Sequence, residues 1–130
     1  MIVVDASAVL EVILRTGVSA NVADRLFAAG ESLHAPHLID VEVAQVIRRY
    51  VAGKSMGARR GREAIEDHVA LPIERYRHDL LLPRVYELRR NMTAYDAVYV
   101  ALAEVLNAPL VTRDAKLAKA SGLRAKIESI

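Results

Sequence analysis

Short apolar runs alternate with longer amphipathic stretches along this chain. Ile2-Val3-Val4 is a β-branched run that reads as a buried strand. Asp5-Ala6-Ser7 opens a helical pattern over Ala8 to Leu14, ended by Gly17. Asn21 to Ala29 reads as a second helix, closed by Gly30 at its C-terminus. Leu33-His34-Ala35 is a brief extended piece before Pro36. Leu38 to Ala52 then predicts a long helix, with Ile39, Val43, Val46, Ile47 and Tyr50 on one stripe. Ala52 to Gly57 is a turn between two helical patterns.

Ala58 to Ala70 is helical with a polar outer face. Leu71 to Tyr76 reads as a strand that Pro72 confines to an edge. Asp79 to Arg90 reads as helical, with Pro83 in the first turn, where proline is tolerated. Ala94 to Leu106 is the most apolar helix. Pro109 to Thr112 is a further buried strand, Ala115 to Ala120 a helix stopped by Gly122, and Ala125 to Ile130 a last strand. Strands and helices in this alternation imply an α/β layer fold with a mostly parallel sheet. The functional crevice of such a sheet lies at the carboxyl ends of its strands. Asp5 and Asp114 both fall there.

Composition narrows the choice. The 130 residues carry 18 Lys and Arg against 16 Asp and Glu, with four His and no Cys. A chain of that size buries enough surface for one folded domain, expected over residues 1–130. Without Cys there is no disulfide framework, thiolate zinc site or Cys nucleophile. A net charge of +2 argues against a protein that binds nucleic acid by bulk attraction alone. No signal peptide or membrane helix is read, so a soluble cytoplasmic protein is expected.

Four acids stand apart from the solvated helix charges. Asp5 follows the first strand, and an N-cap is its plainest role. Glu42 borders the apolar stripe of its helix, where Glu is rarely buried without a partner or a metal; a solvent-edge position is the alternative. Thr93-Ala94-Tyr95-Asp96 resembles a capping box. Asp114 follows a strand and could cap the next helix. Jointly, though, a parallel α/β arrangement would carry all four to one crevice. Carboxylates crowded together raise one another's pKa and call for a counter-charge. A divalent cation with oxygen ligands supplies it.

At these residues the chain resembles the PIN-domain ribonucleases, specifically the VapC toxins of bacterial toxin–antitoxin pairs. The matching stretches, in order, are Ile2 to Ser7, Ala35-Pro36-His37-Leu38 leading to Glu42, Tyr95 to Ala103, and Leu110 to Asp114. The resemblance implies a three-layer PIN-like fold with helices on both sides of the sheet. It implies that Asp5, Glu42, Asp96 and Asp114 bind Mg²⁺ or Mn²⁺, with Asp5 and Asp96 foremost. Ser7 and Thr112 match hydroxyls that support the ligands. It further implies an endoribonuclease that uses water as nucleophile and leaves 5′-phosphate and 3′-hydroxyl ends. A homodimer and a VapB antitoxin are the implied partners.

Arg48 to Arg62 carries six basic residues and no acid, and Arg59, Arg60 and Arg62 are the candidate RNA contacts. Tyr99, at helical spacing, is assigned to the core. Gly53-Lys54-Ser55 fails as a phosphate loop, because Arg48 stands where glycine is needed. His34 and His37 read as loop residues without zinc spacing. Ser7 has no nucleophile-elbow pattern around it. The competing functions are a stand-alone PIN nuclease, a phosphoacceptor domain, which would want paired acids after the first strand, and a non-catalytic module whose acids are all helix caps.

Overall fold

The computed structural model describes all 130 residues. In chain order the elements are β1 (Ile2–Val4), α1 (Ala6–Leu14), α2 (Ser19–Leu26), β2 (Leu33–Pro36), α3 (Leu38–Ala52), α4 (Ala58–Ala70) and β3 (Ile73–Tyr76). A 3₁₀ turn (Asp79–Leu81) leads into α5 (Leu82–Glu87), α6 (Ala94–Leu106), β4 (Leu110–Thr112), α7 (Ala115–Ala118) and β5 (Ile127–Ser129).

The five strands form one sheet in the order β3-β2-β1-β4-β5, and every pair is parallel. From β1 the chain steps outward to β2 and β3. It then crosses back over β1 to β4 and continues to β5. Right-handed crossovers place α1 to α4 on one face and α5 to α7 on the other. Helix packing agrees: α1 meets α2, α3 and α4, while α5 meets α6. The direction reverses between β1 and β4, so the crevice of this α/β fold opens at the carboxyl ends of those two strands.

Ile2, Val3, Val4, Leu110 and Val111 are wholly buried, as expected for central strands covered on both faces. Helix α6 is buried continuously from Ala97 to Ala103, because it lies between the sheet and α5. Asn107 ends it in the left-handed conformation, a C-terminal position that suits asparagine. Asp40 ties α3 to its neighbours: its carboxylate takes the His68 ring of α4 at 2.7 Å and the Arg75 guanidinium of β3 at 2.9 Å. No single helix is long and apolar enough to cross a membrane.

Several expected boundaries move. Helix α2 ends at Leu26, and Gly30 (φ +80°) serves the reverse turn into β2 instead of capping a helix. The expected helix from Asp79 breaks into a 3₁₀ turn and a short α5, because Pro83 has no N–H to bond the preceding turn. Helix α7 stops at Ala118, short of Gly122. Tyr50 is exposed, so the α3 stripe ends at Ile47. His34 lies in β2 with its ring buried between Ser32 and Tyr76; it is a strand residue, not a loop residue.

Candidate active site

Asp5 sits where the fold puts the crevice. The pairing of Val3 with Leu110 and Val4 with Val111 sets Asp5 opposite Thr112. Asp5 is the N-cap of α1, accepting the Ala8 N–H at 3.1 Å. Its Oδ1 also accepts the Ser7 hydroxyl at 2.6 Å, and its Oδ2 accepts the Thr112 hydroxyl. Each hydroxyl is itself held: Ser7 Oγ accepts the Arg113 N–H at 2.9 Å, and Thr112 Oγ1 accepts the Asp114 N–H at 3.0 Å. Oδ1 thus has both lone pairs engaged, and Oδ2 keeps one open.

The other acids approach from three elements. Glu42 projects from the second turn of α3 and is half-buried; its Oε1 accepts the Tyr99 hydroxyl of α6 at 2.6 Å. Asp96 lies in the first turn of α6, where its N–H bonds Thr93 Oγ1 at 3.2 Å. That is half of the expected capping box, and it leaves the carboxylate available. Asp114 is exposed and caps α7 through the Lys116 N–H at 2.9 Å.

The electrostatics divide the acids of this chain into two kinds. Asp5 is pushed up by burial, partly countered by the hydrogen bonds of Ser7, Thr112 and Ala8, with a further rise from Asp96. Glu42 is raised by burial against the Tyr99 bond, then by the charges of Asp5 and Asp96. Asp96 is raised by burial and by Asp114. Each of these three carboxyls thus feels the charge of another acid at the crevice. By contrast, Arg25 bonds Glu31 and Glu128 and holds both low, with the N-terminal amine the larger influence on Glu31. Burial pushes Asp40 and Glu104 up, yet His68 with Arg75, and Arg84, bring them below the usual range. The other acids with shifted pKa values have found a cation in the fold. The cluster has not.

No three His, Asp or Glu side chains converge into an arrangement that would enclose an ion by themselves. The donor chemistry nevertheless fits a small hard cation. Mg²⁺ takes one or two carboxylates and keeps several waters. Asp5 offers one open lone pair on Oδ2, Glu42 a free Oε2, and Asp96 a carboxylate with no arginine or lysine on it.

The raised Glu42 pKa has a consequence for stability. A carboxyl raised on folding contributes most below its unfolded pKa, and that contribution is lost as pH rises through the folded value. With divalent cations removed by EDTA, Glu42→Gln should therefore melt above the wild type at pH 7.5. The gap should close near pH 4, where both side chains are neutral. A variant that melts lower at pH 7.5 would show that the ionised form is not disfavoured.

The structure does not bring the α4 arginines to this cluster. Arg60 bonds the Ile13 carbonyl at 2.7 Å, in the last turn of α1. That is roughly 12 Å along the helix from its Asp5 end, at about 1.5 Å per residue. Arg59 pairs with Glu63 at 3.6 Å, and Arg62 lines a groove between α3 and α4. The cations beside the acids are Arg113, now paired with Glu11 at 3.4 Å, and the exposed Lys116. Sequence reasoning missed the role of Tyr99. Its signal was present in its spacing, three residues after Asp96 on the same helix face.

A parallel sheet in this order, with acids gathered at its reversal point, is the layout of a PIN domain. The PIN domain family model matches residues 2–123, and the chain belongs to that family. Within it the chain falls among the VapC ribonucleases. Ribonuclease VapC9 of Mycobacterium tuberculosis is 46% identical over 117 residues, covering 90% of this chain and 88% of that protein. Ribonuclease VapC12 of the same organism is 42% identical over 130 residues, covering 100% and 99%. Among solved structures, VapBC2 from Rickettsia felis, bound to a promoter DNA fragment, superposes with a TM-score of 0.72 at 16% identity over 100% of this chain and 99% of that one. VapC20 of M. tuberculosis, described as a toxin cleaving the sarcin–ricin loop, gives 0.70 at 15% identity over 95% and 96%. At those identities the structural matches speak for the fold.

Proposed function

We propose that this chain is the toxic endoribonuclease of a VapBC pair, one PIN domain over residues 1–130 that cleaves RNA with Mg²⁺ or Mn²⁺ and is neutralised by a VapB-like antitoxin. The observation that carries the reading is the uncompensated cluster: Asp5, Glu42 and Asp96 all have raised pKa values and no cation, in a chain that pairs its other perturbed acids with arginine or its own amino terminus. Relatives named VapC ribonucleases supply the reaction class.

Asp5, held by Ser7 and Thr112, would offer one oxygen to the cation, and Asp96 would be the second principal ligand. Glu42 and Asp114 complete the acidic set. A bound divalent cation lowers the pKa of a water and neutralises charge on the scissile phosphate. General-base catalysis by a carboxylate needs one within reach of the attacking water, and the acidic set supplies the candidates. One of them takes the proton of the attacking water. The water oxygen would bond to phosphorus as the bond to the 3′-oxygen breaks, solvent water would protonate that oxygen, and the products would carry 5′-phosphate and 3′-hydroxyl ends. Arg113 and Lys116 are the cations next to the acids and would contact phosphate there, with Arg59, Arg60 and Arg62 as RNA contacts farther along the surface. A homodimer and a cytoplasmic location belong to the same reading.

The test is RNA cleavage by the purified chain with Mg²⁺ or Mn²⁺, against the same reaction in EDTA. Cleavage is expected only with the cation, and its ends are mapped by susceptibility to a 5′-phosphate-dependent exonuclease. Equal cleavage in EDTA sinks the proposal.

A further inference from the structure

Tyr99 is buried at 3% exposure in the continuously buried stretch of α6, yet its hydroxyl has a specific partner. It donates to Glu42 Oε1 at 2.6 Å, across from α6 to α3. A position that needed only apolar bulk would be served by phenylalanine, because a buried phenol must find an acceptor. Glu42 has no other hydrogen-bonding or ionic partner among the side chains. Asp96 and Tyr99 share one face of α6 at i, i+3 spacing. A single turn of that helix therefore delivers a carboxylate to the cluster and a donor that holds the carboxylate arriving from α3.

A carboxylate at the end of a Glu side chain rotates freely unless something fixes it, and ordering it costs side-chain entropy. We propose that Tyr99 is a positioning residue for the cation: its hydroxyl engages Glu42 Oε1, sets the rotation of the carboxylate and leaves Oε2 as the oxygen offered to the metal. This rests on the divalent-cation reading above. It also explains why a tyrosine stands among the buried alanine, valine and leucine residues of α6.

The experiment is Mn²⁺ titration calorimetry on the intact chain in four forms: wild type, Tyr99→Phe, Glu42→Gln and the double variant. Phenylalanine keeps the ring and its packing, and circular dichroism with a melting curve in EDTA verifies each fold. Tyr99→Phe should weaken Mn²⁺ binding about ten-fold, the low end for groups that orient metal ligands. In the Glu42→Gln background the same change should alter Kd by less than about two-fold, since the oxygen it positions is gone and coupled sites are not additive. A Tyr99→Phe Kd within about two-fold of wild type overturns the assignment. So does a full Tyr99 effect persisting without the Glu42 carboxylate, which would mean that Tyr99 acts through packing. Asp5→Asn, run alongside, separates the two levels. If it loses Mn²⁺ while Tyr99→Phe keeps it, only the Tyr99 assignment falls. A wild type that takes up no Mn²⁺ overturns both.

Discussion

Asp5→Asn should lower RNA cleavage by at least about 10³-fold, the scale of losing a group that stabilises charge in the transition state. The same change should abolish the thermal stabilisation that Mn²⁺ gives the wild type. The chain should stay folded. Asparagine is as good an N-cap as aspartate, so the Ala8 N–H and the Ser7 hydroxyl keep an acceptor. The amide loses its match to the Thr112 hydroxyl, but it also relieves a buried charge that has no counter-ion. These effects oppose each other, and the melting temperature in EDTA should move by only a few degrees. The measurement is a cleavage time course with melting curves at zero and millimolar Mn²⁺. Wild-type cleavage by Asp5→Asn would remove the acid cluster from the mechanism.

That variant also decides between two descriptions of the same residues. Asp5 and Asp114 do cap helices, and Thr93 caps α6, so the plain reading of each position is correct as far as it goes. A cap needs one carboxylate oxygen and one N–H, and solvent supplies the rest. At Asp5 the fold instead buries the side chain and surrounds it with two hydroxyls, each held by a backbone N–H.

How much of this was legible in the sequence depends on whether the determinant is local. Helices α3, α4 and α6 begin and end where periodicity puts them, because their apolar stripes and terminal signals are strong. β3 takes the expected edge position, although it starts at Ile73 and Pro72 stands just before it, and the central strands follow from their β-branched runs. Asp5 and Asp114 could be placed at strand ends for the same reason. Side-chain partners across elements could not. Arg60 reads as a free cation beside Arg59 and Arg62, yet α1 offers it the Ile13 carbonyl, 47 residues away in sequence. Tyr99 reads as core, and its bond to Glu42 spans 57 residues. The Asp40, His68 and Arg75 linkage carries no local pattern, since each comes from a different element.

Thr112→Val should impair the site without touching a proposed ligand. The hydroxyl is wholly buried, donates to Asp5 Oδ2 and accepts the Asp114 N–H at 3.0 Å. Valine matches the shape and supplies neither bond, so two buried or half-buried polar groups lose partners. A loss of about 1–3 kcal/mol of stability is expected from such unpairing. The effect on chemistry has a sign. The Thr112 bond lowers the Asp5 pKa against the larger upward push of burial. Without it the pKa rises further, and less of Asp5 is ionised at any given pH. Because metal ligation needs the carboxylate, the acid limb of the pH–rate profile should shift to higher pH. Activity at pH 7 should fall by about 100-fold, the upper end for a residue that orients a ligand. Part of the rate should return as the pH is raised. Thr112→Ser keeps the hydroxyl and should stay close to wild type in both position and height of that limb. If the valine variant is equally slow from pH 6 to 9, with its acid limb unmoved, then Thr112 serves only the fold. The Thr112 hydroxyl would in that case have no part in setting the proton affinity of Asp5 or in preparing it for the cation.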